Sequence, residues 1–360
     1  MSDAPASQQF MKMTIGGWVT QAISVAAELG IADFLVQGPR TADELAQLAH
    51  AHGGALYRVL RALASVGIFS EDAERRFSLT PLAECMRSDT PDSLRSFAIM
   101  SGAEFYQSWG CLLHSAQTGE PGFQKRYGAP FFQYMTEHPE RHAIYDAAMM
   151  VHGIAETEPM LNAYDFSAFG TVADVGGGNG RMLAAILQRH AAVRGILFDL
   201  PPVAQRAQPG LAELGLADRC QVVGGDFFVS VPAADAYVLR HVIHDWSDDN
   251  AVKILRNCRT AMNRGGRVLL VETVIPPLNE PCFGKWLDLM MLIVEGRERT
   301  REQYEQLFAQ AGLKLNRIVP TAHEVSIIEG VHATKASRHR GLSAAPPASS
   351  DSREGRTIAV

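Results

Sequence analysis

Apolar residues recur every three to four positions through most of the first 160 residues. This spacing puts them on one face of an α-helix, as in the groups at 22–29 and 56–63. Thr41 and Glu44 stand between these groups in the spacing of a capping box, in which each side chain satisfies a free backbone amide at a helix start. The pattern predicts a mostly helical N-terminal domain.

The segment 68–80, IFSEDAERRFSLT, predicts two short strands around a polar turn. Two helices followed by a two-stranded wing outline a winged helix, so DNA binding is one alternative for this domain. Between residues 41 and 90, however, five arginines and no lysine stand against seven acidic residues, a net charge of −2. Because phosphate binding needs cations, an architectural or dimerising role is favoured.

From about residue 171, short apolar runs alternate with helical segments. This alternation is typical of βαβ units, which build a parallel sheet with helices on its faces. Ser247 precedes Asp248 and Asp249 in the pattern of an N-cap and an acidic first turn, which the helix dipole favours. The predicted strands are 171–175, 195–200, 220–223, 236–240 and 267–273, with two closing strands after residue 312.

Composition and charge favour work on small molecules. The 360 residues are 47% hydrophobic and 20% charged, a globular composition, and the length favours two domains. A formal net charge of −6 gives no basic surface for nucleic acid or an anionic membrane. The most apolar early stretch, 13–27, is too short and polar to span a bilayer, and the first residues lack the basic region and continuous apolar run of a secretory signal, so neither a membrane span nor a signal peptide is expected. Five cysteines without a C-x-x-C motif indicate reduced thiols and predict a cytoplasmic location.

The stretch DVGGGNG at 174–180 lies between the first predicted strand of the second domain and a helix. Gly176, Gly178 and Gly180 alternate in it, so the backbone can turn sharply and approach a ligand without a Cβ in the way. A dinucleotide site of the form G-x-G-x-x-G is the rival, but it needs Gly or Ala at the position of Arg181. The spacing therefore favours a nucleoside ligand that lacks a pyrophosphate.

Acidic residues follow the first three of these strands in order. Asp199 ends the second strand, where its carboxylate is placed to accept hydrogen bonds from both hydroxyls of a ribose. Asp226, in GGDFF after the third strand, is placed to reach an adenine amino group, with Phe227 stacking on the ring. Taken singly, each Asp is more often a turn residue or a helix cap. Together with Asp174 they favour a cofactor at the carboxyl edge of the sheet.

The stretch LRHVIHDWSDD at 239–249 gathers two histidines and an aspartate within five positions. It fits the start of a metal site, a catalytic base, or two unrelated imidazoles near a turn. A strand running through 244 would point His241 and His244 to opposite faces, whereas a turn at 241 could bring them together. A metal site needs further ligands in a recognisable spacing, so no metal is expected. The late candidates, which lack such a spacing, are His323, Glu324 and His332.

In combination these motifs resemble the class I, S-adenosylmethionine-dependent small-molecule O-methyltransferases, in particular the plant caffeate-like group and its bacterial natural-product relatives. The resemblance covers about residues 10–335. It implies an α/β fold, with a Rossmann-like doubly wound methyltransferase sheet preceded by a winged-helix-like dimerisation domain. The implied divisions are 1–160, 161–335 and a disordered tail at 336–360. The motifs that carry it are VADVGGGNG, FDLPPV, GGDFF, LRHVIHDWSDD, VLLVET and EGRERT.

In that family the histidine of the H-D-W motif is the general base, which implies this role for His244. A phenol with a pKa of about 10 is ionised to roughly one part in a thousand at pH 7, so a neutral imidazole with a pKa of about 6.5 can take its proton. Glu272 and Glu298 match the two family glutamates that flank the histidine and would orient its ring. Asp245 is expected either to contact the acceptor or to cap the next helix. His241 is expected to be a packing residue or a wall of the cofactor site.

The resemblance also implies the cofactor and the acceptor pocket. The methyl donor is S-adenosylmethionine, which becomes S-adenosylhomocysteine, and the acceptor is a small aromatic molecule. Methionine and aromatic stripes are more often core, but the family positions place several of them in the pocket. The expected cofactor-binding residues are Gly176, Gly178, Asp199, Leu200, Asp226, Phe227 and Arg240, where Arg240 replaces the usual Lys. The expected acceptor residues are Tyr145, Met149, His152, Asp245, Met290 and Met291.

The segment 9–35 resembles the intertwined dimer helices of the family, which implies a homodimer in which Trp18 reaches the partner's site. Two other functions are weighed. The first is a cofactor-binding relative that hydroxylates or decarboxylates an aromatic polyketide, which is disfavoured because the histidine and both glutamates are intact. The second is a winged-helix regulator, which is disfavoured because the winged-helix segment has a net negative charge. The sequence leaves open whether the methylated oxygen belongs to a phenol or to an N-hydroxy group, as on a phenazine.

Overall fold

The computed structural model describes residues 5–333, apart from the side chain of His152. The expectations for the tail at 336–360 and for the His152 side chain therefore lie outside the described residues. The N-terminal part has three short strands, β1 (Arg40–Thr41), β2 (Phe69–Glu71) and β3 (Arg76–Leu79). They form an antiparallel sheet in the order β1-β3-β2. The helices of this part are α1 (Ala6–Thr14), α2 (Gly16–Glu28), α3 (Ile31–Phe34), α4 (Ala42–Leu48), α5 (Gly53–Ala64), α6 (Pro81–Glu84), α7 (Arg95–Gly102), α8 (Glu104–Trp109), α9 (Leu112–Thr118), α10 (Gly122–Tyr127), α11 (Phe131–Glu137) and α12 (Pro139–Ala163).

The capping box and the wing predicted from the sequence are both present. The Thr41 hydroxyl accepts from the Glu44 amide, and the Glu44 carboxylate accepts from the Thr41 amide at 2.7 Å, so α4 begins at the predicted place. The two wing strands meet across a turn in which Arg75 has a φ of 60°. Leu60 of α5 and Phe77 of β3 are fully buried in one core. The helical part therefore has a hydrophobic core of its own.

The second part is a mixed sheet with helices on both faces. Its strands are β4 (Thr171–Val175), β5 (Arg194–Asp199), β6 (Cys220–Gly224), β7 (Ala234–Arg240), β8 (Met262–Ile275), β9 (Arg299–Thr300), β10 (Leu313–Pro320) and β11 (Val325–His332). They run in the order β10-β11-β8-β7-β4-β5-β6, with β9 paired to the end of β8. The helices are α13 (Arg181–Arg189), α14 (Pro201–Glu213), α15 (Asp248–Ala261), α16 (Gly284–Val294) and α17 (Arg301–Ala311).

The strand order confirms the predicted doubly wound arrangement and shows where a ligand would bind. The strands from β6 to β8 are parallel, whereas β10 and β11 are antiparallel additions at one edge. The chain passes from β4 to β5 and β6 on one side and then returns to β7 on the other. Ligands of such sheets bind outside the carboxyl ends of the strands at this point of reversal. Both DVGGGNG and the turn after β7 lie there.

Helix α12 connects the two parts of the molecule. It runs through the expected boundary at 160 and packs on α7 in the helical part and on α13 and β11 in the second part. Its 25 residues therefore belong to both packing units, and side chains along it are placed to face the carboxyl edge of the sheet. Within the described chain, none of the helices has the length and apolar content that crossing a membrane requires.

Candidate active site

The turn after β7 carries the two histidines. The strand ends at Arg240, and His241 has a φ of 51°, so the chain leaves the sheet there. A 3-10 turn at Ile243–Asp245 follows, and Ser247 accepts a hydrogen bond from the Asn250 amide as the N-cap of α15. The turn places the His241 and His244 rings 5.1 Å apart, between centroids. The chain thus adopts the turn at 241, not the continuous strand, and the predicted Ser247 cap is confirmed.

His244 is held by two glutamates with different tasks. Its Nδ1 donates to Oε1 of Glu298 at 2.6 Å, which fixes the orientation of the ring. Oε1 of Glu272 instead accepts from the backbone amides of Ile243 and His244, at 2.9 and 3.3 Å. The second Glu272 oxygen lies 3.5 Å from Nδ1 of His244. Because the glutamates are on the Nδ1 side, Nε2 is the nitrogen left for an acceptor.

Arg299 clamps this turn and was missed by the sequence analysis. It is fully buried, and its guanidinium donates to the carbonyl oxygens of Ile243 and Trp246 at 3.0 and 2.9 Å. It also binds the Asp248 carboxylate at the start of α15, at 2.8 Å. The sequence did not single it out, because Arg297, the other charged neighbour of Glu298 in EGRERT, is exposed.

The buried charges around His244 shift its proton affinity. Burial alone would lower the pKa of His244, but the carboxylates of Glu272, Asp245 and Glu298 raise it to about 10. Burial raises the pKa of Asp245 to about 6 and also raises the pKa of Glu272. The ordinary imidazole pKa of about 6.5 expected from the sequence is therefore wrong for this site. The pKa of His244 instead lies close to that of a phenol.

His241 has a polar partner that the sequence did not indicate. Its Nε2 lies 3.0 and 2.8 Å from the two carboxylate oxygens of Glu156, a residue of α12 that is 1% exposed. This pairing lay outside the sequence analysis because Glu156 is 85 positions away, and it exists because a buried carboxylate requires a polar partner. The signal available in the sequence was an acidic residue placed within an apolar helical segment. The expected role of His241 as a packing residue or as a wall of the cofactor site stays a prediction.

Two histidines of this turn and one glutamate of β8 come close enough to be considered as ligands of a metal ion. His241, His244 and Glu272 place ligand atoms within 4.8 Å of one another. The nitrogen of His244 that faces Glu272, Nδ1, is however already hydrogen-bonded to Glu298 at 2.6 Å, and Nε2 of His241 is hydrogen-bonded to Glu156. The geometry is that of a hydrogen-bonded array of carboxylates and imidazoles.

The glycine loop has the backbone geometry that a cofactor cradle requires. Gly176, Gly178 and Gly180 have φ values of 70°, 58° and 75°, a region that side-chain-bearing residues rarely adopt. Asp199 supports the loop, because its carboxylate accepts from the amides of Gly178 at 2.8 Å and Leu200 at 2.7 Å. Each oxygen keeps a lone pair that could serve a ribose hydroxyl. The loop and this carboxylate fit a nucleoside cofactor.

The other expected cofactor residues border the same edge of the sheet. Oδ1 of Asp226 accepts from the Phe228 amide at 2.7 Å, and the Phe227 ring packs edge-on against Trp246. Asp174 is buried with one oxygen that has no hydrogen-bond partner, and burial raises its pKa to about 7. Arg240 donates to the carbonyl of residue 153 at 2.9 Å, so its guanidinium is held by α12. Its contact with the cofactor stays a prediction.

Apolar side chains from both parts of the molecule form a wall near His244. Tyr145 and Met149 of α12 and Met290 of α16 pack in one cluster with Phe131. Met291 is buried on the adjacent position of α16. His152 lies in α12, but its side chain is outside the described residues. The wall is predominantly apolar, as an aromatic acceptor requires.

A cavity of about 200 Å³ opens beside the catalytic turn. Phe132 and Trp246 stack across it, with ring centroids 6.2 Å apart and planes inclined by 23°. Asp245 lines this cavity, and Ser247 is the residue that caps α15. Of the two expectations for Asp245, acceptor contact is therefore the one that the geometry favours. The lining includes Phe131, Phe132, Asp245, Trp246, Asn250 and Glu295.

Comparisons with known proteins match both parts of the chain. A family model described as an O-methyltransferase domain matches residues 109–314, and one described as an O-methyltransferase dimerisation domain matches residues 11–89. The phenazine O-methyltransferase PhzM of Lysobacter antibioticus is 48% identical over 327 residues, which are 90% of this chain and 96% of that protein.

Solved structures agree with this assignment. The crystal structure of LaPhzM is 47% identical, with a TM-score of 0.88 over 92% of this chain and all of that one. The O-methyltransferase NcsB1, solved with S-adenosylmethionine and 2-hydroxy-5-methyl naphthoic acid, is 37% identical, with a TM-score of 0.79. That match covers 87% of this chain and 96% of NcsB1. The comparisons therefore support the fold, the cofactor and the class of reaction together.

The packing of Gly296 against the catalytic turn leads to a first prediction. A Cβ at 296 would overlap the carbonyl oxygen of His244 and lie 3.1 Å from the Met291 sulfur. Because a backbone carbonyl cannot move aside, Gly296→Ala should displace the turn and lower kcat at least about tenfold. Gly210→Ala is the control, since a Cβ there meets nothing within 4 Å. Equal activity of the two variants would show that the position of this turn does not limit turnover.

Proposed function

This chain belongs to the S-adenosylmethionine-dependent O-methyltransferases, and we propose that His244 is the general base for methylation of a hydroxyl on an aromatic or heteroaromatic natural product. The observation that carries the proposal is the buried 2.6 Å bond between His244 Nδ1 and Glu298, beside an aromatic-walled cavity. A buried base beside an aromatic-walled cavity is suited to methylation of a hydroxyl group on a planar aromatic ring. The match to a phenazine O-methyltransferase supports a tricyclic heteroaromatic acceptor with a phenolic or N-hydroxy oxygen.

When bound, S-adenosylmethionine would supply a methyl group on a sulfonium sulfur, and its transfer to the acceptor oxygen releases the neutral thioether S-adenosylhomocysteine, which is a good leaving group. The protein has to hold the acceptor oxygen in line with this methyl group, and such positioning contributes on the order of 7 to 11 kcal/mol in favourable cases. The loop at Gly176 and Gly178, with Asp199 and Asp226, would hold the nucleoside half at the carboxyl edge of the sheet. Tyr145, Met149, Met290 and Met291 would hold the acceptor ring.

His244 would take the acceptor proton on Nε2 while Glu298 holds the proton on Nδ1. The carboxylates raise the pKa of His244 to about 10, close to the pKa of an ordinary phenol. Proton transfer between the two is then nearly balanced in free energy, which suits a base that must pick up the proton as oxygen attacks. Asp245, 3.5 Å from Nε2, is placed to contact the acceptor hydroxyl.

The dimerisation domain makes the protein a homodimer. Apolar side chains of the first two helices are largely exposed in one protomer, as at Met13 (79%) and Trp18 (72%), which fits helices that pack against a second copy. Trp18 is placed by this proposal at the partner's site. The five cysteines are free, which supports a cytoplasmic location.

Replacement of the base tests the proposal directly. His244→Ala should lower kcat at least about 100-fold, the usual scale for a positioned general base. The measurement is transfer of a labelled methyl group from S-adenosylmethionine to a panel of hydroxylated phenazines and polyketide-type aromatics. His114→Ala, a partly exposed histidine of α9, is the matched control and should stay within twofold of wild type. Wild-type turnover in His244→Ala would remove His244 from the mechanism.

The raised pKa of His244 predicts the pH dependence. Below its pKa the imidazole is protonated and cannot accept a proton, so kcat should rise with pH from 7 toward 10 as the neutral form becomes available. His244→Ala should lose this rise when tested with an acceptor that does not ionise in the same range. A wild-type kcat that levels off at pH 7 would contradict the pKa shift.

The charges at the cavity predict which acceptors are preferred. Among the cavity-lining residues that the structure describes there is no Lys or Arg, whereas Asp245 and Glu295 are both present. Phe131 belongs both to this cavity and to the cluster that forms the acceptor wall, so a carboxylate on a ring held there would lie near two acids, and like charges disfavour binding. We expect a hydroxyphenazine to have a kcat/KM at least about tenfold above that of its carboxylic acid derivative. Glu295→Gln should reduce the ratio of these two kcat/KM values, because it removes one of the two acids. A higher kcat/KM for the carboxylated acceptor would refute this prediction.

A further inference from the structure

His241 stands where β7 ends and the turn to His244 begins. Its φ of 51° lies in the left-handed region, which a non-glycine residue keeps only where the surrounding structure holds it. Its amide donates to the Val271 carbonyl at 3.2 Å, which ties the start of the turn to β8. The backbone of His241 is therefore fixed at the base of the catalytic turn, three residues before the proposed base.

On one side, His241 meets a carboxylate that comes from helix α12. Both oxygens of Glu156 lie within 3.0 Å of Nε2, and Glu156 is almost completely buried. Oε1 of Glu156 also lies 3.9 Å from Nδ1 of His323, in the connection between β10 and β11. Because a carboxylate at this depth is unfavourable without polar partners, the contact with His241 constrains where α12 can sit.

On its other side, His241 faces the carboxylate that organises the catalytic turn. Its Nδ1 lies 3.9 Å from Oε2 of Glu272, whose other oxygen accepts from the amides of Ile243 and His244. The same Oε2 lies 3.5 Å from Nδ1 of His244. The His241 ring thus stands between a buried acid of the helical part and a buried acid of the sheet.

The residues of α12 that form the acceptor wall share a face with Glu156. Met149 precedes Glu156 by seven residues, which is about two helical turns, and Tyr145 precedes it by eleven, about three turns. Tyr145 and Met149 both pack in the cluster that lines the acceptor side. Fixing Glu156 therefore fixes the rotation and the depth of the wall.

We propose that His241 is a positioning residue, which fixes the acceptor wall of α12 relative to His244 through its contact with Glu156. The inference rests on the proposed roles of His244 as base and of α12 as acceptor wall. It assigns to this imidazole a task that acts through Glu156 and α12 and needs no direct contact with the reacting atoms. The contact joins the two parts of the molecule at the point where the acceptor and the base must meet.

The test compares two replacements of His241, both of which must adopt the same left-handed backbone conformation at this position. His241→Gln keeps a donor near the position of Nε2, whereas His241→Leu has a similar volume and no donor. We expect His241→Leu to lower kcat/KM for the acceptor at least about tenfold, with KM for S-adenosylmethionine within twofold of wild type. His241→Gln should return to within about threefold of wild type. Equal losses in both variants, or no loss in a folded leucine variant, would overturn the proposal.

The helix side of the contact gives a second test, which applies even if His241→Leu fails to fold. Glu156→Leu should cause the same selective loss, and Glu156→Gln, which keeps an acceptor oxygen, should be milder. Where His241→Leu folds, the double variant that combines it with Glu156→Leu should lose little more than either single variant, because both changes affect one contact. Losses that multiply would mean that the two residues act separately, and the proposal would fail.

Hydrogen exchange separates this inference from the proposed function. Amides of α12, over 139–163, should exchange faster in Glu156→Leu than in wild type, while those of the distant α17 should not change. This readout does not depend on the chemistry of His244. Wild-type turnover in His244→Ala would refute the proposed base alone, whereas unchanged exchange of α12 would refute the positioning role of His241.

Discussion

The buried hydrogen bond between Glu298 and His244 is the interaction around which the catalytic end of the sheet is arranged. A carboxylate and an imidazole are unfavourable in a protein interior unless their polar atoms are satisfied. Their mutual bond meets part of this demand, while Arg299 and Glu272 bind the backbone of the turn that carries His244, and Ser247 with Asp248 starts the helix that follows. The result is a turn whose geometry is fixed from several sides.

The same need for partners links the two parts of the molecule. Glu156 on α12 is buried because its helix packs on both cores, and it finds His241 at the end of β7. The acceptor wall and the proposed base are thereby carried by elements that contact each other directly. An aromatic acceptor would be held between α12 and the turn after β7, and the hydrogen bond between Glu156 and His241 would set the distance between these two elements.

The cofactor edge is built differently, since it depends on backbone shape more than on charge. Three glycines with positive φ and one carboxylate, Asp199, form a cradle at the reversal point of the strand order. Such features are local, because a glycine conformation and a strand end are specified by a few neighbouring residues. This is why the glycine loop and Asp199 could be recognised in the sequence, and why the solved relatives with S-adenosylmethionine agree with that assignment.

The sequence by itself determined the alternation of strands and helices, the capping box at Thr41, the winged-helix outline and a site for a nucleoside without a pyrophosphate, because these follow from short-range periodicity and spacing. Only the tertiary structure decided that Glu298, of the two expected glutamates, bonds the His244 ring, that His241 binds Glu156 across 85 positions, and that Arg299 clamps the turn. It also decided the raised pKa of His244. The physical reason is that desolvation and charge contacts depend on which distant elements pack together, and no local pattern records that packing.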